Sequence, residues 1–122
     1  LEQFARDQGI KAAGLLMVGA IDKGSRLVVG PEDGDAPKIV PLEHVLAKAH
    51  EVAAVGTIFP DEEGRPTLHM HLAAGREGKA AAGCIRRGVM VWLIAEVVIL
   101  EMVDTGARRV MDPSTGFELL TP

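Results

Sequence analysis

Tyrosine is absent from this 122-residue chain, tryptophan occurs once, at position 92, and aromatic residues make up only 3%. A platform of rings on which nucleic-acid bases could stack is therefore not evident. Positive charge is also short. Thirteen Lys and Arg against 17 Asp and Glu leave a net charge of −4, the wrong sign for strong phosphate-backbone binding, although a local basic patch stays possible. With Cys84 the single cysteine, no internal disulfide can form, and the chain is compatible with a reducing cytoplasm. The start, Leu1-Glu2-Gln3-Phe4-Ala5-Arg6-Asp7, shows no basic segment followed by an apolar run, so no signal peptide is visible. The longest apolar stretch, residues 89–100, is too short for a spanning helix and contains Glu96, so no membrane partner is expected. Gly75-x-x-Gly78 lacks the lysine and following helix of a nucleotide loop. Repeats, low-complexity segments and an Asp/His/Ser relay are missing as well.

What remains is 48% hydrophobic and 25% charged, the balance of a folded domain with a real core. Residues 1–122 are expected to form a single domain. The first residues read as the end of an amphipathic helix closed by Gly9, and some sequence before them is expected to be missing. Residues 10–20 and 25–30 read as strands, 31–37 as a loop. Leu42, Val45, Leu46 and Ala49 recur at helical spacing, which predicts a short helix over 42–50. Residues 51–59 form another strand, 61–66 a hairpin turn and 67–73 the returning strand. After the turn at 75–78 comes a segment over 79–85. Residues 89–102 are nearly all apolar, too continuous for a one-sided strand, which predicts burial on both faces, by the domain's helices and by another subunit. The expected class is α+β, a largely antiparallel sheet flanked by helices.

The chemistry-bearing stretch is Thr67-Leu68-His69-Met70-His71-Leu72-Ala73. Strand side chains alternate, so Leu68, Met70 and Leu72 share one face, and His69, His71 and Ala73 the other. Two imidazoles two residues apart can converge on a metal ion, or can simply be half-exposed strand histidines. Cys84 lies across the next turn and can face the pair if it shares their side of the sheet; otherwise it is a packing thiol. Two imidazoles and a thiolate suit tetrahedral zinc with a fourth position open to water or a ligand. His44 and His50, six residues apart on the expected helix, point to different faces and read as surface residues, with His50 a candidate outer ligand. Glu96, inside an apolar strand, would need a partner or a proton if buried. A catalytic general base is not assignable, because Glu51, Glu96 and Glu118 are equally unplaced. Gly64-Arg65-Pro66 echoes the core of a minor-groove-reading AT-hook, but Asp61, Glu62 and Glu63 precede it, and a hairpin turn accounts for it. Arg86-Arg87 and Arg108-Arg109 read as solvated pairs.

Together these residues resemble the PPC (plant and prokaryote conserved) domain family, whose biochemical activity is unknown. The likeness rests on Leu68-His69-Met70-His71-Leu72, Gly78-Lys79, Gly83-Cys84, Gly88 and Ala95-Glu96-Val97-Val98-Ile99. It extends to Phe4-Ala5 with Gly9-Ile10-Lys11-Ala12-Ala13, and to Asp112-Pro113 with Thr115-Gly116-Phe117-Glu118-Leu119-Leu120. The likeness leaves out a first strand, which is expected to be missing, and the region 31–50 is atypical. The resemblance implies an antiparallel sheet flanked by helices, a homotrimer, and zinc held by an H-x-H pair and a third histidine after two glycines. The pair matches His69 and His71; the third position is Cys84, after Ala82-Gly83. Thiolate for imidazole keeps a good zinc ligand, changes the site's charge by one unit and makes it oxidisable. The metal-centred reading implies a small-molecule-binding or enzyme-like role. Plant relatives with AT-hooks suggest DNA-associated regulation, which this chain's acidity and missing AT-hook disfavour, and an inert structural trimer is the third reading.

Overall fold

The computed structural model describes residues 1–122. It contains one short helix, α1 (Glu2–Gln8), and nine strands: β1 (Ala13–Ile21), β2 (Arg26–Pro31), β3 (Pro41–Val45), β4 (His50–Pro60), β5 (Pro66–Arg76), β6 (Lys79–Cys84), β7 (Val91–Glu101), β8 (Arg108–Asp112) and β9 (Phe117–Thr121). Seven strands form one sheet in the order β3-β2-β6-β5-β4-β1-β7, and β8 and β9 form a separate antiparallel pair. The pairs β2–β3, β2–β6 and β5–β6 are antiparallel. The protein is thus β-rich with a single seven-residue helix, rather than a sheet flanked by helices.

Packing divides the chain into two compact units. One comprises residues 1–15, 56–69 and 99–122. Its interior holds Ala5 of α1, Ala12, Ala13, Leu15, Ile58 and Phe59. Helix α1 ends at Gly9 in a left-handed conformation, as expected from the sequence, and Glu2 accepts a hydrogen bond from the Leu68 backbone N–H at 2.8 Å. The turn between β4 and β5 is built around Asp61, only 7% exposed. Its carboxylate accepts from the backbone N–H groups of Glu63 (3.0 Å) and Arg65 (2.8 Å) and from the Arg65 guanidinium at 2.6 Å. Burial works against ionisation of Asp61, but the Arg65 and Glu63 donors outweigh it and hold its carboxyl below the ordinary value of 3.8. Arg65 also pairs with Glu63 at 2.7 Å. The residue that echoed an AT-hook is thereby committed to the hairpin turn.

The other unit comprises residues 16–55 and 70–98, with Met17, Ala20, Ile21, Leu27, Leu46, Val52, Met70, Leu72 and Ala74 buried. Ser25 is buried with them, and its hydroxyl accepts from the Met90 N–H at 3.0 Å. The helix expected over 42–50 is not formed. Residues 41–45 pair with β2 instead, Arg26 opposite Val45 and Leu27 opposite His44, while Glu43 takes ion pairs from Arg26 (3.1 Å) and Arg87 (3.2 Å). Of the four apolar positions at helical spacing, only Leu46 is buried. In so short a run, strand pairing overrides a weak helical periodicity. In the single chain, much of β7 is uncovered. It is an end strand of the sheet, and Val91, Trp92, Leu93, Ile94, Val98 and Leu100 are exposed. Ala95, Val97 and Ile99 are half-buried, and Glu96 is exposed in the single chain.

Candidate metal centre

The centre is built on the β5–β6 hairpin. Two residues, Glu77 and Gly78, connect the strands, with φ of 53° and 74°. Left-handed backbone at both turn positions matches the twist of the strands it joins, which is why a glycine is suited to the second. From Arg76 opposite Lys79, the ladder runs back through Ala73 opposite Ala82 to His71 opposite Cys84. Residues directly opposite one another on an antiparallel pair share a face. His69, two residues before His71, shares it too. The alternate residues Met70, Leu72 and Ala74 are buried, fixing this register against slippage, because a one-residue shift would turn that apolar row outward.

The consequence is a three-donor group. One ligand atom from each of His69, His71 and Cys84 lies within 4.8 Å of the other two. His69 and Cys84 are half-buried and His71 is exposed. With bonds of 2.0–2.3 Å, donors around one tetrahedral zinc stand about 3.3–3.8 Å apart, a spacing below but close to the 4.8 Å limit of this group. Cys84 is additionally flanked by β2, opposite Val28. That approach is close: a β-carbon on Gly83 would stand 2.6 Å from the Val28 carbonyl oxygen and 3.2 Å from the Leu27 β-carbon. Glycine before Cys84 is therefore what lets β2 and β6 pair at this point.

The remaining sequence candidates lie elsewhere. His44 is exposed on β3, and His50 opens β4 with Nδ1 2.8 Å from the Lys48 carbonyl oxygen. Neither belongs to the three-donor group, nor do Glu51, Glu96 and Glu118, all exposed. His50 lines a separate cavity of about 610 Å³ with Arg76, Lys79 and Trp92. A second hollow, of about 410 Å³, adjoins His71 and is lined by Ala53, Val55, Ala73 and Ala82. Sequence reasoning did not register it. The available signal was Ala73 on the histidine face of β5, facing the alanine run 80–82.

Residues 1–103 match the Plants and Prokaryotes Conserved (PCC) domain. Solved structures share the fold. A plant- and prokaryote-conserved protein from Pyrococcus horikoshii aligns with TM-score 0.81 at 20% identity, over 99% of this chain and 80% of that one. A metal-containing protein from Archaeoglobus fulgidus aligns with TM-score 0.79 at 23% identity, over 99% and 81%. A candidate DNA-binding protein from Ralstonia eutropha JMP134 aligns with TM-score 0.74 at 22% identity, over 99% and 80%. Among curated proteins, the bifunctional protein GlmU of Synechococcus sp. strain JA-3-3Ab is 31% identical over 121 residues, 96% of this chain. The chain spans only 17% of that relative's length.

Proposed function

Given that the chain belongs to the Plants and Prokaryotes Conserved domain family, we propose that it is a metal-binding module, holding one zinc ion on His69, His71 and Cys84 and presenting the fourth position to water or a small ligand. The observation that carries this reading is the convergence of two imidazoles and a thiol within 4.8 Å, on two strands whose register gives them one face. The fold's occurrence in a protein described as metal-containing supports it. Two neutral imidazoles and one thiolate leave a zinc ion with a residual positive charge, and at such a site zinc supplies Lewis acidity and lowers the pKa of bound water. His69 and His71 anchor the ion from β5, and Cys84 anchors it from β6. No carboxylate joins the group, so the reading stops at binding and assigns no reaction. A homotrimer is the assembly that accompanies it, supported by the apolar exposure of β7. A reducing, cytoplasmic location suits the thiolate ligand.

Metal analysis of protein purified without added zinc tests the proposal. About one equivalent per chain is expected, and the His69→Ala, His71→Ala double variant should contain none. Wild-type protein that holds no metal after zinc reconstitution overturns the assignment.

A second reading, DNA-associated regulation, is favoured by relatives of this fold described as candidate DNA-binding proteins. The net charge of −4 and the engagement of Arg65 by Asp61 and Glu63 oppose it. A gel-shift titration at low salt decides: binding to AT-rich or random duplex at micromolar protein would reinstate it.

A further inference from the structure

On the metal-bearing face of the β5–β6 hairpin, the His71/Cys84 pair is followed by Ala73 opposite Ala82 and then Gly75 opposite Ala80. Same-face positions on a ladder recur every second residue, so the donor groups give way directly to methyl groups and bare backbone. The sheet surface carries there the hollow of about 410 Å³, shallow and largely open to solvent. Its lining is Ala53, Ala54, Val55, Leu72, Ala73 and Ala82, and His71 is the only polar residue bordering it. A sugar, phosphate or peptide tail laid in such a hollow would lose water without gaining hydrogen-bond partners. A hydrocarbon tail would gain by leaving water. His71 belongs both to the donor group and to the rim, so the hollow directly adjoins the candidate metal site.

We propose that this hollow binds the tail of a short-chain aliphatic carboxylate whose anionic head occupies the fourth position of the metal held by His69, His71 and Cys84; the inference rests on the zinc reading above. The positive charge left on the ion selects the anionic head, and the alanine and valine walls select the chain.

The test uses zinc-loaded full-length protein, with zinc content measured first, and titrates straight-chain alkyl hydroxamates from acetyl to octanoyl as tighter-binding analogues of the carboxylates. Calorimetric affinity should rise about two- to four-fold per methylene until the hollow is filled. Ala82→Leu fills the hollow from an exposed strand position. That variant should keep its zinc and its acetohydroxamate affinity while losing the gain with chain length, and Ala73→Leu, from the opposite strand, should do the same. If zinc does not load, the metal reading falls and this inference with it. If zinc loads fully and affinity is flat along the series, only the hollow assignment falls. A flat series accompanied by a lower sedimenting mass for Ala82→Leu identifies a second copy of the chain as the occupant and likewise overturns the proposal.

Discussion

At Cys84 a thiol stands opposite His71, and a metal–thiolate bond has an optical signature that imidazole does not give. Replacing zinc by cobalt(II) should produce a sulfur-to-cobalt charge-transfer band in the near ultraviolet. Cys84→Ser should lose the band and weaken binding, because a serine hydroxyl is a poorer ligand than thiolate, whereas Cys84→His should keep a full donor set without the band. Asp61 acts on stability rather than on metal. Its folded-state carboxyl lies below 3.8, so it contributes stability above its unfolded pKa and loses that contribution as pH falls through the lower folded value. Asp112 behaves alike, held down by the Thr115 hydroxyl first and by Ser114 next. Urea midpoints should therefore be level near neutrality and fall below about pH 4. Asp61→Asn should lower the neutral-pH midpoint and flatten the acid-side fall.

Among the elements, β5 and β6 were the most legible. The two-residue period of Leu68-Met70-Leu72 set the inward row of β5, in which Met70 and Leu72 are buried and Leu68 half-buried, and the Gly75–Gly78 turn signal closed the hairpin. Recognising Glu77-Gly78 as a two-residue turn would also have fixed the register, because Arg76 opposite Lys79 necessarily sets His71 opposite Cys84. Strand β3 was not legible: Leu42, Val45 and Leu46 fit a helical stripe as well as a strand, and pairing with β2 decided between them. Apolarity over 89–102 gave the strand β7 but not its surroundings, since hydrophobic content does not say whether the cover comes from the same chain. The β2–β6 junction yields an element-scale prediction. Gly83→Ala places a methyl 2.6 Å from the Val28 carbonyl oxygen, a backbone atom that cannot swing aside, so destabilisation of about 1–3 kcal/mol is expected by urea denaturation. Weaker zinc binding should accompany it, because Cys84 is the next residue.

For the molecule as a whole, β7 is the feature with most at stake. Leu93 is 83% exposed and holds a left-handed backbone with φ of 59°, and an end strand carrying so much apolar surface is a template for association. Sedimentation equilibrium should give three times the mass of one chain, and Leu93→Asp should shift the protein toward monomer; a monomeric wild type would remove the trimer from the proposal. The hairpin has a kinetic consequence. All three donors fall between His69 and Cys84, joined by a two-residue turn, so assembling them requires closing only a short loop. Strands β4 and β7, which both neighbour β1 in the sheet, are brought to it across much longer stretches of chain. Zinc is therefore expected to be captured at an early stage, as the hairpin forms, and zinc present during refolding should speed the folding step seen in stopped-flow, rather than acting only by slowing unfolding.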